Sequence, residues 1–320
     1  MSRGRRTGSI AIVAVVIAAL PWLIPSYGAF EMTYAGAYTI AILGLIILTG
    51  MNGQISLGHG AFLAVGGYAV AILATRTGMP YWISVPIAGV LCGLLGVGIG
   101  LVSLRLAGVY LALATFSMAV ATPPILKHFK GLTGGTGGIV LQPSLTPAFL
   151  HGVLTPERWL YYVTWALAGG LFAATALLLS GRIGRSLRAL RDNETAAVAF
   201  GINPYYFKTL AFGWSAAYAG VAGAIVAIAT AFVSPDAYTF ALSITLLIGA
   251  VFGGLETMWG AIVGGIVIEF LPLWAQKINA AAPSVVYGVA LIVIMILMPT
   301  GIAGGLRAAF RPVIPTPSRD

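Results

Sequence analysis

Long apolar runs separated by short polar turns occupy the chain from Ser9 to Thr300. Many approach the roughly 20 residues that a helix needs to cross the ~30 Å hydrocarbon core of a bilayer. The pattern predicts ten spans, over residues 9–27, 34–50, 55–75, 80–102, 107–126, 159–180, 209–232, 239–253, 257–276 and 284–300. The runs are continuous rather than alternating, which favours helices over the short strands of a transmembrane barrel. The expected fold class is an all-α polytopic membrane protein of about ten transmembrane helices, a single domain over residues 1–320.

Two places break the apolar pattern near or within predicted spans. Asn52, Gln54, Ser56 and His59 cluster where the second span meets the third, so 55–75 is either a full crossing or a broken, re-entrant segment. Polar groups at that depth need partners or water. The four residues therefore either break and pack the helices or line a translocation path. Ser56 and His59 are close in sequence but have no third group and no nucleophile motif, which argues against an intramembrane hydrolase. Glu269 lies well inside the ninth span without a basic partner. It reads as a hydrogen-bonded or pore-lining carboxyl, and it is the main feature favouring an ion-coupled secondary transporter.

Glycine spacing adds a packing signal. Gly89, Gly93, Gly96 and Gly100 share one helical face, and Gly249/Gly253 and Gly260/Gly264 repeat a four-residue interval. Small residues let helices approach closely in lipid. Tight internal packing is expected there, with a subunit interface as the alternative.

Composition narrows the class. Hydrophobic residues make up 59% and charged residues 8% of the chain, against about 25% charged in soluble domains. Cys92 is the single cysteine and has no disulfide partner; His59, His128 and His151 are scattered, so no metal site is expected. The net charge of +9 could suggest nucleic acid, but the basic residues flank apolar runs, as positive-inside topology requires. With the N-terminus cytoplasmic, the inside segments hold Arg3, Arg5, Arg6, Arg105, Arg182, Arg185, Arg188, Arg191, Lys208, Arg307, Arg311 and Arg319. The outside holds Arg76, Lys127, Lys130, Arg158 and Lys277, and twelve against five places both termini in the cytoplasm. The opening "MSRGRRTGSIAIVAVVIAAL" resembles a signal peptide, but an uncleaved first helix is expected in so apolar a chain.

Two connecting segments stand out. The largest external loop, 127–158, is rich in Gly, Thr and Pro and reads as ordered turns. Its "GLTGGTGG" lacks the Lys-Ser/Thr ending of a phosphate-binding loop. The cytoplasmic segment 181–208 contains "RIGRSLRALRDNETAAVAFGINPYYFK", with six charged residues between Arg182 and Glu194. Arg182, Arg185 and Arg188 recur every three residues, and Ile183, Leu187 and Leu190 form another face. Asn193 suits an N-cap with Glu194 in the first turn, and Gly201 suits a left-handed C′ position beside Ile202. Asn203-Pro204 then reads as a second N-cap with proline at N1. The product is a helix, a sharp turn and a new helix, able either to dock into a partner's groove or to rest on anionic headgroups.

This segment resembles the cytoplasmic "EAA" coupling loop of ABC transporter permeases, with Glu194, Ala196, Ala197 and Gly201 at the motif positions. Thr195 and the missing Ile-x-Leu-Pro ending match the LivM-type branch of branched-chain amino acid permeases. "GMNGQISLGHGAFLAVGGYAVAIL", "LRLAGVYLALATFSMAV", "LTGGTGGI", "FGGLETMWGAIVGG" and "MPTGIAGGL" resemble the same branch in order, with Glu256 a departure from a smaller residue. The resemblance implies a type II ABC importer-like permease in the bacterial cytoplasmic (inner) membrane. It implies a LivH-type permease partner, two cytoplasmic ATPase subunits and an extracytoplasmic substrate-binding protein. Arg188, Arg191, Glu194, Ala196, Ala197 and Gly201 would couple to the ATPases. No cofactor is expected in this chain, ATP and Mg2+ belonging to the partners. Branched-chain amino acids are the implied cargo, with other amino acids, amides or urea carried by related systems.

Overall fold

The computed structural model describes residues 19–142 and 154–277 except 105 and 107, together with 17, scattered positions from 286 to 296, and 301–309. The predicted crossings 9–27 and 284–300 fall largely outside the described residues, as do Arg105, positions 143–153 of the external loop and the chain ends. Each of the eight crossings between them corresponds to a helix.

The first of these is α1 (Ser26–Leu45), which continues through a π-helical turn, Ile46–Met51. Pro25 sets its start, because the residue before a proline disfavours the α region and residues 19–23 stop short of it. The crossing begins at Ser26 rather than at residue 34, and carries Glu31 into the bundle. α2 (His59–Thr77), α3 (Tyr81–Ser103) and α4 (Val109–His128) follow. The described part of segment 127–158 includes α5 (Lys130–Thr133) and β1 (Ile139–Val140). Next come α6 (Pro156–Ser180), the short pair α7 (Arg182–Asp192) and α8 (Glu194–Ala199), and α9 (Pro204–Thr230). β2 (Phe232–Val233), α10 (Phe240–Gly253), α11 (Gly260–Gln276) and α12 (Gly301–Ala309) complete the described elements. Seven of the described helical segments are long and apolar enough to cross a membrane, and α11 is a shorter apolar helix.

The core sits around α1 and α9, each 83% buried over its most apolar window, whereas α4 at 17% and α6 at 22% are peripheral. Polar groups on α1 and α9 must therefore find partners inside the chain. α9 runs along α3, α2 and α1, a packing its Ala and Gly residues permit where lipid supplies no hydrophobic drive between helices. The glycine face of α3 meets α9: a methyl group added at Gly93 would lie 3.3 Å from Ala217, and one at Gly100 3.1 Å from Phe212. Gly249 faces Gly264 and Gly253 faces Gly260, closing the α10–α11 hairpin. Internal packing accounts for both glycine series.

The turns gather on two opposite faces. On one, Arg76 reaches the Gly131 carbonyl, Lys127 pairs with Asp236 at 2.6 Å, and Ile139 and Val140 pair antiparallel with Val233 and Phe232. The described part of the 127–158 loop is thus tied down on the bundle. On the other face lie the α7–α8 segment, the end of the α1 crossing and the α10–α11 turn, joined through Arg191.

Candidate functional site

The α7–α8 segment is built almost entirely from short-range signals. α7 is amphipathic, burying Gly184, Leu187 and Leu190 while Arg182 and Arg185 are exposed; Ile183 is only partly covered. Asn193 ends α7 and caps α8, its side chain accepting from the Ala196 amide at 3.0 Å. Gly201 has φ +81°, the left-handed region, and α8 closes with the Ile202 amide on the Ala197 carbonyl (3.0 Å) and the Gly201 amide on the Val198 carbonyl (2.9 Å). That bond pair is a Schellman turn. Asn203 then accepts from the Tyr205 and Tyr206 amides at 3.0 and 3.4 Å, and Pro204 opens α9. The expected helix, turn and helix are all present.

The polar turn after α1 is built the opposite way. From Asn52 to Ser56 the chain is irregular, and burial alternates as in an extended strand: Asn52, Gln54 and Ser56 face inward while Gly53 and Ile55 are exposed. Asn52 Nδ2 donates to Gln54 Oε1 at 2.7 Å, and Gln54 Nε2 to Ser103 Oγ at 3.5 Å. Ser56 Oγ accepts from the Gly58 amide at 3.3 Å. α2 begins at His59, whose Nε2 lies 2.7 Å from Ser215 Oγ, and Ser215 donates its own proton to the Gly44 carbonyl at 2.6 Å. Ser215 has one proton to give, so His59 is the donor, in its Nε2–H tautomer. Its Nδ1 has no partner among the described residues. The turn's inward side chains Asn52, Gln54 and Ser56 find partners within the protein. Among the described residues, the four predicted residues are thus hydrogen-bonded in the interior, at the meeting of α1, α2, α3 and α9.

Among profile models of known families, the permease component of the branched-chain amino acid transport system matches residues 29–298. The chain belongs to this family. It is 30% identical to the high-affinity branched-chain amino acid transport permease LivM of Escherichia coli K12, over 91% of this chain and 74% of that protein. It is 26% identical to LivH of the same organism, over 85% of this chain and 93% of the relative. BraD of Pseudomonas aeruginosa is 23% identical over the same shares, 85% and 93%. No solved structure matches. This permease is a membrane subunit of an ABC importer, a multi-pass inner-membrane protein and not an enzyme.

Within the permease, the motif residues and the nearby arginines of α7 turn in different directions. Ala197 is buried, 4% exposed, so it faces the body and not a partner. Arg188 donates to the Leu179 carbonyl at 3.4 Å and Arg191 to the Gly50 carbonyl at 2.8 Å; both guanidinium groups serve their own chain. Glu194 pairs with Lys208 at 2.7 Å, tying α8 to α9. Ala196 and Gly201 are exposed, as the motif leads one to expect. Not singled out from the sequence is Phe200, 86% exposed at the tip of the turn, near exposed Val198, Tyr205 and Tyr206. An aromatic residue between the end of a short helix and its terminating glycine was the available signal.

Glu269 also gains a partner. It lies near Glu31 of α1, close enough for the two carboxyl groups to interact. Glu31 reads as a loop residue when the crossing is begun at residue 34, which is why the sequence left Glu269 alone.

Proposed function

We propose that this permease forms the translocation path of an ATP-driven importer together with a LivH-type subunit, and carries branched-chain or chemically related amino acids. Segment 181–208 lies on the cytoplasmic side, both termini share that side, and the segment docks a cytoplasmic ATPase. ATP and Mg2+ are bound by two such ATPases, and an extracytoplasmic binding protein delivers the cargo to the opposite face, where segment 127–158 contributes to its reception. The observation that carries the docking reading is the capped α8 turn presenting Phe200 at 86% exposure. An aromatic anchor on a rigid, short support loses little conformational freedom on binding, which is the usual profile of an interface hot spot. The basic asymmetry of the chain supports the orientation, and the names of the relatives support the cargo.

Phe200→Asp tests this directly in a complex purified with its ATPases. The permease should reach its parental level in the membrane, while ATPase retention and amino-acid uptake fall at least about tenfold, as loss of a hot-spot residue predicts. Normal retention and uptake in Phe200→Asp would remove the docking assignment.

A further inference from the structure

Three membrane elements end beside α7, and one side chain joins them. Arg191 Nη1 donates to the Gly50 carbonyl at 2.8 Å, its Nε donates to Asp192 at 3.0 Å, and Nη1 lies 3.9 Å from Glu256 in the α10–α11 turn. Its aliphatic stem lies against Gly53, where an added methyl would sit 3.0 Å from the Arg191 Cγ. Gly50 belongs to the π-helical turn that ends the α1 crossing. The last carbonyls of a helix lack partners within it, and Arg191 supplies one from outside.

The joint is close but not solid. At Gly50 any side chain would meet the Leu255 carbonyl, and at Gly301 the Gly254 backbone, so three segments touch through glycine. Beside them a cleft of about 390 Å³ is lined by Thr49, Gly50, Arg191, Gly254, Glu256 and Gly301, among others. The polar turn from Asn52 to His59 begins two residues beyond Gly50. Movement of α7 thus has a direct mechanical route into the helix break, and room beside it in which to act.

We propose that Arg191 is a positioning residue for transport: its guanidinium transmits displacement of the α7–α8 segment to the end of the α1 crossing and to the α10–α11 turn. This rests on the docking reading above, and it places Arg191 on the membrane side of that segment, not on the ATPase-facing side. Arginine suits the task because its planar fork can hold a carbonyl and a carboxylate in one geometry, which a lysine ammonium does not reproduce.

The test uses the complete complex in proteoliposomes, with loaded binding protein and leucine as the probe, and scores transport per ATP hydrolysed. Arg191→Gln should retain the ATPases at the parental level yet lose about tenfold in that ratio, within the range by which coupling residues act. Arg191→Lys should recover part of the loss, and Glu256→Gln should lose only two- to threefold or so, its contact being longer and more exposed. A parental ratio in Arg191→Gln overturns the proposal. Loss of ATPase retention in Arg191→Gln also overturns it, by making Arg191 a docking residue, and leaves the docking reading intact. Normal retention in Phe200→Asp removes the docking reading instead. Should Arg191→Gln fail to accumulate, the ratio is read from Arg191→Lys combined with Glu256→Gln, where a parental value overturns the proposal equally.

Discussion

The α7–α8 segment and the polar turn from Asn52 to His59 both interrupt membrane helices, yet they are held by opposite means. In the first, the capping bonds close within a few residues: Asn193 on Ala196, Ile202 on Ala197, Asn203 on Tyr205. In the second, the local Asn52–Gln54 and Gly58–Ser56 bonds are joined by partners from far along the chain: Gln54 meets Ser103, His59 meets Ser215 and the Gly60 amide just beyond meets Ser243, separations of 49, 156 and 183 residues. A segment closed on itself can move as a unit without breaking its own bonds. A turn bonded to three other helices cannot shift unless they shift with it. The first arrangement suits a surface that receives force, and the second suits a joint that distributes it.

The largest effect should come from cutting the joint. Ser215→Ala removes the acceptor of His59 and the donor to Gly44 without adding volume. Leaving a buried polar group unpaired costs about 1–3 kcal/mol, and two groups are affected. The thermal midpoint of the purified permease should fall by several degrees, while ATPase docking by the molecules that remain folded stays normal. An unchanged midpoint would show that the joint does not depend on this bond. Phe200→Asp should give the converse result, an unchanged midpoint with lost docking.

A smaller and more local effect is expected at Gly201. Open space surrounds its Cα, with nothing within 4 Å of an added methyl, so the only obstacle to a side chain is φ +81°. Gly201→Val should therefore add about 1–3 kcal/mol of backbone strain, re-aiming Phe200 while the bundle keeps its thermal midpoint. Gly201→Asn should be milder, since asparagine visits the left-handed region more readily. Equal transport by the parent, the Val variant and the Asn variant would show that the turn's geometry does not matter to function.

The same contrast explains what could be read from the sequence. Asn193, Gly201 and Asn203-Pro204 specify caps through their own side chains and backbone freedom, so their structure was legible from adjacent letters. So were the eight crossings between the chain ends, because a long apolar run has few alternatives in a bilayer. The start of α1 was not, because Glu31 looks like a loop residue until Glu269 is brought beside it by the packing of α11 on α1. Asn52, Gln54, Ser56 and His59 announced a break but not its partners. Ala197 stands at a motif position, but the motif names positions without saying which way each side chain turns, and Ala197 turns inward. Direction is a tertiary property, decided here by Gly50, Leu179 and the body of the bundle.

The Glu194–Lys208 pair gives the smallest predicted effect and the finest test of the comparison. It ties α8 to α9 outside the local caps, at 2.7 Å, with Lys208 19% and Glu194 50% exposed. A half-exposed ion pair contributes about 0.2–1 kcal/mol, and salt weakens it further. If the segment is self-closed, Glu194→Gln should leave the caps intact, because Asn193 and not Glu194 supplies the bond to the α8 amides. Transport should then fall less than about threefold at low ionic strength, and the difference from the parent should shrink in high salt as the parent loses its own pair. Loss of docking as severe as in Gly201→Val would mean that α8 is held to α9 by this one contact. The segment would then resemble the polar turn in relying on a partner outside itself, and the division between a self-closed surface and a distributed joint would fail.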